Sequence, residues 1–328
     1  MREEKRVVEV LKKYDSFLIG SHINPDGDSL GSQLAIASLL KRAGKKVSVL
    51  NPNPAPSIYN FLPYKEWITF SCKKDKWEVG VVVDCSEYGR LKEVQNSFSS
   101  LPVVVNIDHH ISNKKFADVN FLNSSASSTG EMVYRIFKSF PQQFTKEEAL
   151  LLYVAILTDT NSFKFGTTAY THQIVGELLN FGLDSRKIQE KIYDVPFSEV
   201  KLLELLSPTI QMSKDRKIAW AKITKEMMNE IEQNFGGGED IAQTDTFVNY
   251  LCSIRDIEVA VLFKKLDNGI KASLRSKNSV DVNKIAKIFG GGGHLKASGC
   301  SFLEDMEKVE KKVIAEIEKE MGKRISNV

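Results

Sequence analysis

The chain is poor in cysteine, histidine and tryptophan, and it has no long apolar run. Its four cysteines (Cys72, Cys85, Cys252 and Cys300) form no C-x-x-C pair. That pattern excludes a disulfide-stapled secreted scaffold and a thiolate zinc site, and suits reduced thiols in a cytoplasmic setting. The longest apolar stretch, Ala149 to Leu157, falls well short of the roughly 20 residues that cross a bilayer. The opening MREEKRVVEVLKKYD is a charged amphipathic helix without the apolar segment of an export signal, so neither export nor membrane insertion is expected. A formal net charge of +3 excludes a bulk polyanion-binding surface and leaves room only for a local basic cleft.

What is present divides the chain in two, since 328 residues at about 150 per domain make about two domains. Strand and helix patterns alternate to about residue 180. Leu30 to Ala43 has helical spacing and ends at Gly44, and Lys46 to Leu50 is a strand, which together make a β-α-β unit. Residues 128–138 and 145–157 both open with helix-entry signatures, and the second delivers Asp159 at its end. Beyond the helical SRKIQEKIYD, a second region carries a strand at Ile218–Ile223. A hairpin follows, turning at Asp267-Asn268-Gly269, and then Val282–Phe289, GGGGH and a Glu/Lys-rich helix. The expected fold is α/β, with a doubly wound, mainly parallel amino-terminal sheet in residues 1–185 and a helical linker in 186–209. A smaller α/β domain with a mixed sheet fills 210–328, and the active-site cleft lies between the two domains.

Three polar clusters sit where β-branched runs stop. His22, Asp26 and Asp28 follow Phe17-Leu18-Ile19; Asp84 closes Val79–Val83; Asp108-His109-His110 closes the run from Val103 to Ile107. Buried parallel strands read this way, and such a sheet gathers ligand groups at the carboxyl ends of its strands. With Asp159 the clusters offer imidazole and carboxylate donors for two divalent ions, and mixed N/O ligation favours Mn²⁺ over Mg²⁺. One carboxylate must bridge ions about 3.5 to 4 Å apart, and Asp84, alone at its strand end, is the best candidate. The assignment places His22, Asp26 and Asp84 on one ion and Asp28, Asp84, His109 and Asp159 on the other. A water held between them would drop from a pKa of about 15.7 towards about 7 and supply hydroxide as nucleophile. His110 would face the substrate, hydrogen-bonding a phosphoryl oxygen or assisting the leaving group, while Asp108 orients the imidazoles.

Taken singly, Asp26 or Asp28 is an ordinary turn or cap residue, and a lone histidine is usually a satisfied core group. Taken jointly the pattern reverses, because three of only five histidines fall in these clusters and a fourth, His294, sits in the glycine motif. In that motif Gly290, Gly291, Gly292 and Gly293 give up backbone entropy on folding, a cost that makes sense where a chain must approach a ligand or adopt positive φ. His294, Lys296 and Ser298 add donors, and Arg275 of SLRS, beside Ser276, offers a planar fork for phosphate or carboxylate. Gly236-Gly237-Gly238 reads as a loop without a ligand role. Cys85 and Cys300 read as small packing residues.

As a set, HINPDGDSLGS, VVVDCSEYGR, NIDHH, TDTNSFKF, SLRS and GGGGHLKASG resemble, in order, the signatures of the DHH phosphoesterase superfamily with its DHH-associated carboxy-terminal domain. The likeness spans nearly the whole chain and is nearest to the bifunctional oligoribonuclease and pAp phosphatase branch. The resemblance implies Mn²⁺-dependent hydrolysis of very short RNAs from the 3′ end and removal of the 3′-phosphate from 3′-phosphoadenosine 5′-phosphate (pAp). Mg²⁺ or Co²⁺ stand as alternative metals. The implied metal ligands are His22, Asp26, Asp28, Asp84, His109 and Asp159, with a nucleotide clamp at Arg275 and Gly290 to His294. One departure is Asp245-Thr246-Phe247 before Val248-Asn249, where relatives often have Glu-Gly. Two other readings stay open: cleavage of cyclic dinucleotides or linear pApA, and a catalytically silent nucleotide-binding protein. Homodimerisation through apolar helix faces is a further expectation.

Overall fold

A computed structural model describes residues 2–71, 77–236, 245–278, 280–293 and 295–325. His294, Cys72, Gly237 and Gly238 lie outside the described residues. Contacts divide the chain into two compact units, Met1–Asp194 and Val195–Val328.

The first unit runs α1 (Arg2–Lys13), β1 (Ser16–Gly20), α2 (Gly27–Arg42), β2 (Lys46–Leu50), β3 (Ile68–Thr69), β4 (Val79–Val83), α3 (Gln95–Ser99), β5 (Val103–Asp108), β6 (Val119–Leu122), α4 (Thr129–Phe137), α5 (Lys146–Asp159), α6 (Ala169–Leu179) and α7 (Ser185–Tyr193). The six strands are all parallel, in the order β3-β2-β1-β4-β5-β6. Side chains alternate across a strand, and the sequence supplies apolar groups for both faces. Phe17, Ile19, Val79, Val81, Val83, Val105 and Ile107 join the large core under the long helices. Leu18, Val82 and Val104 point the other way, to Leu91, Val94 and Phe98. The sheet is therefore covered on both faces, and its order reverses between β1 and β4, the point where doubly wound folds place their ligands.

α2 and α5 pack unusually close because Gly31 has no side chain: a Cβ there would lie 2.3 Å from the Leu151 carbonyl. α5 begins with a capping box of Thr145 and Glu148, and Glu148, wholly buried, also accepts from Ser38 and Arg42 of α2. These contacts set the height at which α5 delivers Asp159.

The second unit comprises α8 (Phe197–Leu206), β7 (Gln211–Met212), β8 (Ile218–Ile223), α9 (Lys225–Phe235), α10 (Asp245–Ser253), β9 (Val259–Leu266), β10 (Gly269–Ser276), α11 (Val282–Ile288), β11 (Gly292–Gly293), β12 (Ala297–Phe302) and α12 (Met306–Ile325). Its sheet is mixed, in the order β11-β12-β10-β9-β8-β7, with β8 and β9 parallel and the other pairs antiparallel. Val259, Val261 and Phe263 face one core, Ala260 and Leu262 the other. The expected hairpin forms, with β9 and β10 joined at Asp267-Asn268. No helix among the described residues is long and apolar enough to cross a membrane.

Candidate metal centre

Tight turns at the carboxyl ends of β1, β4 and β5 lift the three polar clusters toward one another. Asp26 is the N-cap of α2: one of its oxygens accepts the Ser29 N–H at 3.0 Å, completing a capping box. The other lies 3.9 Å from His22 Nε2, so the cap and the cluster share one carboxylate. Asp84 follows β4 with φ +53, a conformation that costs a non-glycine residue free energy and that the surroundings must impose. They do so through Asn106, whose amide donates to the carbonyls of Val82 and Cys85 on either side.

Among the described residues three triads of ligand atoms, each with its members within 4.8 Å of one another, result: His22, Asp26 and Asp84; Asp28, His109 and Asp159; and Asp84, His109 and His110. Asp84 and His109 each belong to two of them. His22 Nε2 is 3.4 Å from Asp84, and His109 Nε2 is 3.3 Å from Asp159 and 3.9 Å from both Asp28 and Asp84. All the metal-ligand candidates of the first unit thus come together, with Asp108 and His110 beside them.

The imidazoles are oriented from behind. His22 Nδ1 donates to the Ile23 carbonyl at 2.7 Å, and His109 Nδ1 faces the Ala126 carbonyl at 3.4 Å. Each ring therefore presents Nε2 to carboxylate oxygens, where a proton or a metal ion on that nitrogen offsets the repulsion of its lone pair. His110 Nδ1 meets Asp108 at 2.5 Å.

Charge crowding marks the same place. Burial, then the charges of Asp84, Asp159 and Asp26, hold the Asp28 carboxyl well above its ordinary range, against the opposing Thr129 N–H. Desolvation lifts Asp159 to about 7 despite the pull of His109, although 28% of its side chain meets solvent. Burial opposes ionisation of Asp84 too, but the His22 hydrogen bond and the three imidazoles prevail and hold it low. Burial also opposes charge on His22 and His110. Hydrogen bonds to Asp84 and Asp108 outweigh it, raising His22 and carrying His110 to about 9. Buried acids that repel one another and imidazoles that are drawn toward charge form a pocket lacking positive charge, which a divalent cation would supply.

Sequence reasoning missed the groups that hold these acids. The start of α4 points at two of them: Thr129 N–H donates to one Asp28 oxygen at 2.7 Å, Gly130 N–H to the other at 2.8 Å, and the Thr129 hydroxyl to Asp84 at 3.1 Å. Residues 128–131 were legible only as a helix entry, with Ser128 as its cap. The positive end of the helix is the usable signal, because peptide N–H groups there lack partners of their own.

In the second unit β10 and β12 set Arg275 opposite Ala297 and Leu274 opposite Ser298, and β11 sets Gly293 opposite Ser298. Arg275, Ser298, Gly292 and Gly293 therefore lie on neighbouring strands. Arg275 Nε donates to Asn249 Oδ1 at 3.1 Å. Ser276 is turned inward, its hydroxyl donating to the Val280 carbonyl at 2.7 Å. The glycine run also does structural work: Gly290 (φ +71) ends α11, with Gly291 N–H returning to the Ala286 carbonyl. At Gly293 (φ +147) a Cβ would lie 2.5 Å from the Ala297 carbonyl.

Residues 16–156 match the DHH family, N-terminal domain, and residues 229–323 match the DHHA1 domain. A bifunctional oligoribonuclease and PAP phosphatase NrnA from Thermus thermophilus is 29% identical over 325 residues, covering 96% of this chain and 93% of that protein. The Bacillus subtilis protein of the same name is 26% identical over 300 residues, covering 90% and 92%. The crystal structure of an exopolyphosphatase-related protein from Bacteroides fragilis superposes with a TM-score of 0.89 at 27% identity, covering 97% of this chain and 96% of that one. Matched in order, the two models show a DHH-family N-terminal domain followed by a DHHA1 domain.

Proposed function

We propose that this enzyme hydrolyses very short RNA oligonucleotides to mononucleotides and dephosphorylates pAp to AMP in the cytoplasm. The observation that carries the reading is the meeting of two carboxylate–imidazole triads around Asp84. Support for the substrates comes from the names of the relatives over 90% or more of this chain.

His22, Asp26 and Asp84 would hold one Mn²⁺ ion, and Asp28, Asp84, His109 and Asp159 the other, with Mg²⁺ or Co²⁺ as substitutes. Such a pair supplies Lewis acidity that polarises a phosphoryl group and makes a water acidic near neutral pH. The chain's own residues do the rest. Asp84, common to two of the triads, would hold the two halves of the site together. His110, anchored on Asp108, presents its other edge to the reacting group, donating to a phosphoryl oxygen or to the leaving oxygen. Arg275 and the backbone of Gly290–Gly293, with Ser298, would bind a second anionic group of the substrate.

The test is to incubate purified protein and Mn²⁺ with pAp, 5′-labelled RNAs from dimers to long oligomers, cyclic di-AMP and pApA. The reading expects turnover of pAp and of the shortest RNAs. Preference for cyclic di-AMP or pApA would replace these substrates, and turnover of none would leave a nucleotide-binding protein.

A further inference from the structure

A half-buried asparagine outside every ligand triad ties the centre together from below. Asn113 Nδ2 faces three acceptors: Asp108 Oδ2 at 2.5 Å, Asn106 Oδ1 at 2.8 Å and the Cys85 carbonyl at 3.2 Å. Its Oδ1 accepts the Lys115 N–H at 2.7 Å. That last bond fixes which end of the amide is which, since only the NH₂ end can then address the three acceptors. The backbone of Asn113 also returns to the His110 carbonyl at 3.2 Å.

The consequences fall on Asp108. Its carboxylate is completely buried. One oxygen receives the side chain of His110 at 2.5 Å and its peptide N–H at 3.2 Å, and the other oxygen receives Asn113. A carboxylate held on both oxygens cannot rotate, so the imidazole resting on it is held in one plane. Without Asn113, one oxygen of a buried carboxylate loses its partner, which costs free energy unless the group turns to find another. Turning would carry His110 with it. Asn106, the other end of the amide pair, fixes the backbone on both sides of Asp84, so a single chain of amides registers Asp84 against His110.

We infer that Asn113 is a positioning residue: it holds the Asp108 carboxylate, and through it aims the His110 imidazole at the leaving oxygen of the phosphoester. This rests on the hydrolysis proposed above, and concerns only the aim of one side chain within it.

A double-mutant cycle tests it. Asn113→Ala should lower kcat on pAp by roughly ten- to a hundredfold, as loss of a group supporting an active-site ligand does, with KM and Mn²⁺ uptake by titration changed less than about twofold. In a His110→Ala background the same substitution should have almost no further effect, because coupled residues are not additive. A nitrophenyl phosphoester, whose leaving group needs no proton, should suffer less from Asn113→Ala than pAp does. Asn113→Ser retains a small polar group and carries the cycle should alanine unfold the loop. Equal losses with and without His110, or equal losses on both substrates, overturn the proposal. If the unaltered protein takes up Mn²⁺ yet hydrolyses nothing, the proposed function itself fails instead.

Discussion

Asp28 and Thr129, distant in sequence, meet at the mouth of the sheet: the Thr129 N–H donates to Asp28 at 2.7 Å while the neighbouring Gly130 N–H takes its other oxygen at 2.8 Å. The start of α4 thus grips a carboxylate carried by α2, and its one hydroxyl reaches the carboxylate at the end of β4. The helix dipole partly offsets the repulsion among these acids when no cation is bound.

Thr129→Val keeps the peptide N–H and the shape but deletes the hydroxyl that bonds Asp84. Mn²⁺ affinity should fall roughly tenfold with little change in melting temperature. Thr129→Ser should restore it. Isothermal titration measures both, and an unchanged affinity in the valine variant would show that the hydroxyl does not orient Asp84.

Asp84→Ala removes the group shared by two ligand triads. Hydrolysis of every substrate should be lost, by at least about a hundredfold, and Mn²⁺ uptake should drop by one ion or more. Full activity on any phosphoester would refute the bridging role.

Without metal, stability should decline as pH rises from about 4 to 9. The Asp159 carboxyl binds its proton at about 7 in the folded protein against 3.8 ordinarily. Its stabilising contribution is therefore complete below 3.8 and lost by about 7. His22 and His110 are raised above 6.5, His110 to about 9, so their contributions are complete below 6.5 and decline above it, that of His110 being lost by about 9. Asp84 is lowered and acts in the opposite sense, but only below 3.8. Mn²⁺ replaces the protons, so the gain in melting temperature on adding it should grow with pH across this window. Melting curves with chelator and with Mn²⁺ decide the matter, and a gain that shrinks toward pH 8 would contradict it.

Gly31→Ala places a methyl group where the Leu151 carbonyl already stands, 2.3 Å away. α2 and α5 must separate, which should cost about 1–3 kcal/mol and shift Asp159 relative to Asp28. Urea unfolding gives the first quantity. A stability within experimental error of the parent would show that the helices part freely.

Arg275→Ala should raise KM for pAp roughly tenfold while leaving kcat and Mn²⁺ uptake nearly intact, as expected for a group that binds a substrate anion away from the reaction. An unchanged KM would remove Arg275 from the substrate site.

Local chemistry made much of this protein readable from its residues alone. β-branched runs such as Val79–Val83 favour buried strands, Asp267-Asn268-Gly269 favours a tight turn, and Thr145 with Glu148 favours a helix start, because each preference is settled within a few residues. The convergence of His22, Asp26, Asp28, Asp84 and His109 was legible because each follows the end of a parallel strand and parallel strands end on one side, while Asp159 is carried to the same place by the end of α5. The order β3-β2-β1-β4-β5-β6 was not, since any order of pairing satisfies the same alternation. Neither were the parts of Thr129, Gly130, Asn106 and Asn113. A peptide N–H or an amide has the same character in every chain, and what it binds is decided by which helix start or loop the packed core brings within 3 Å of a carboxylate.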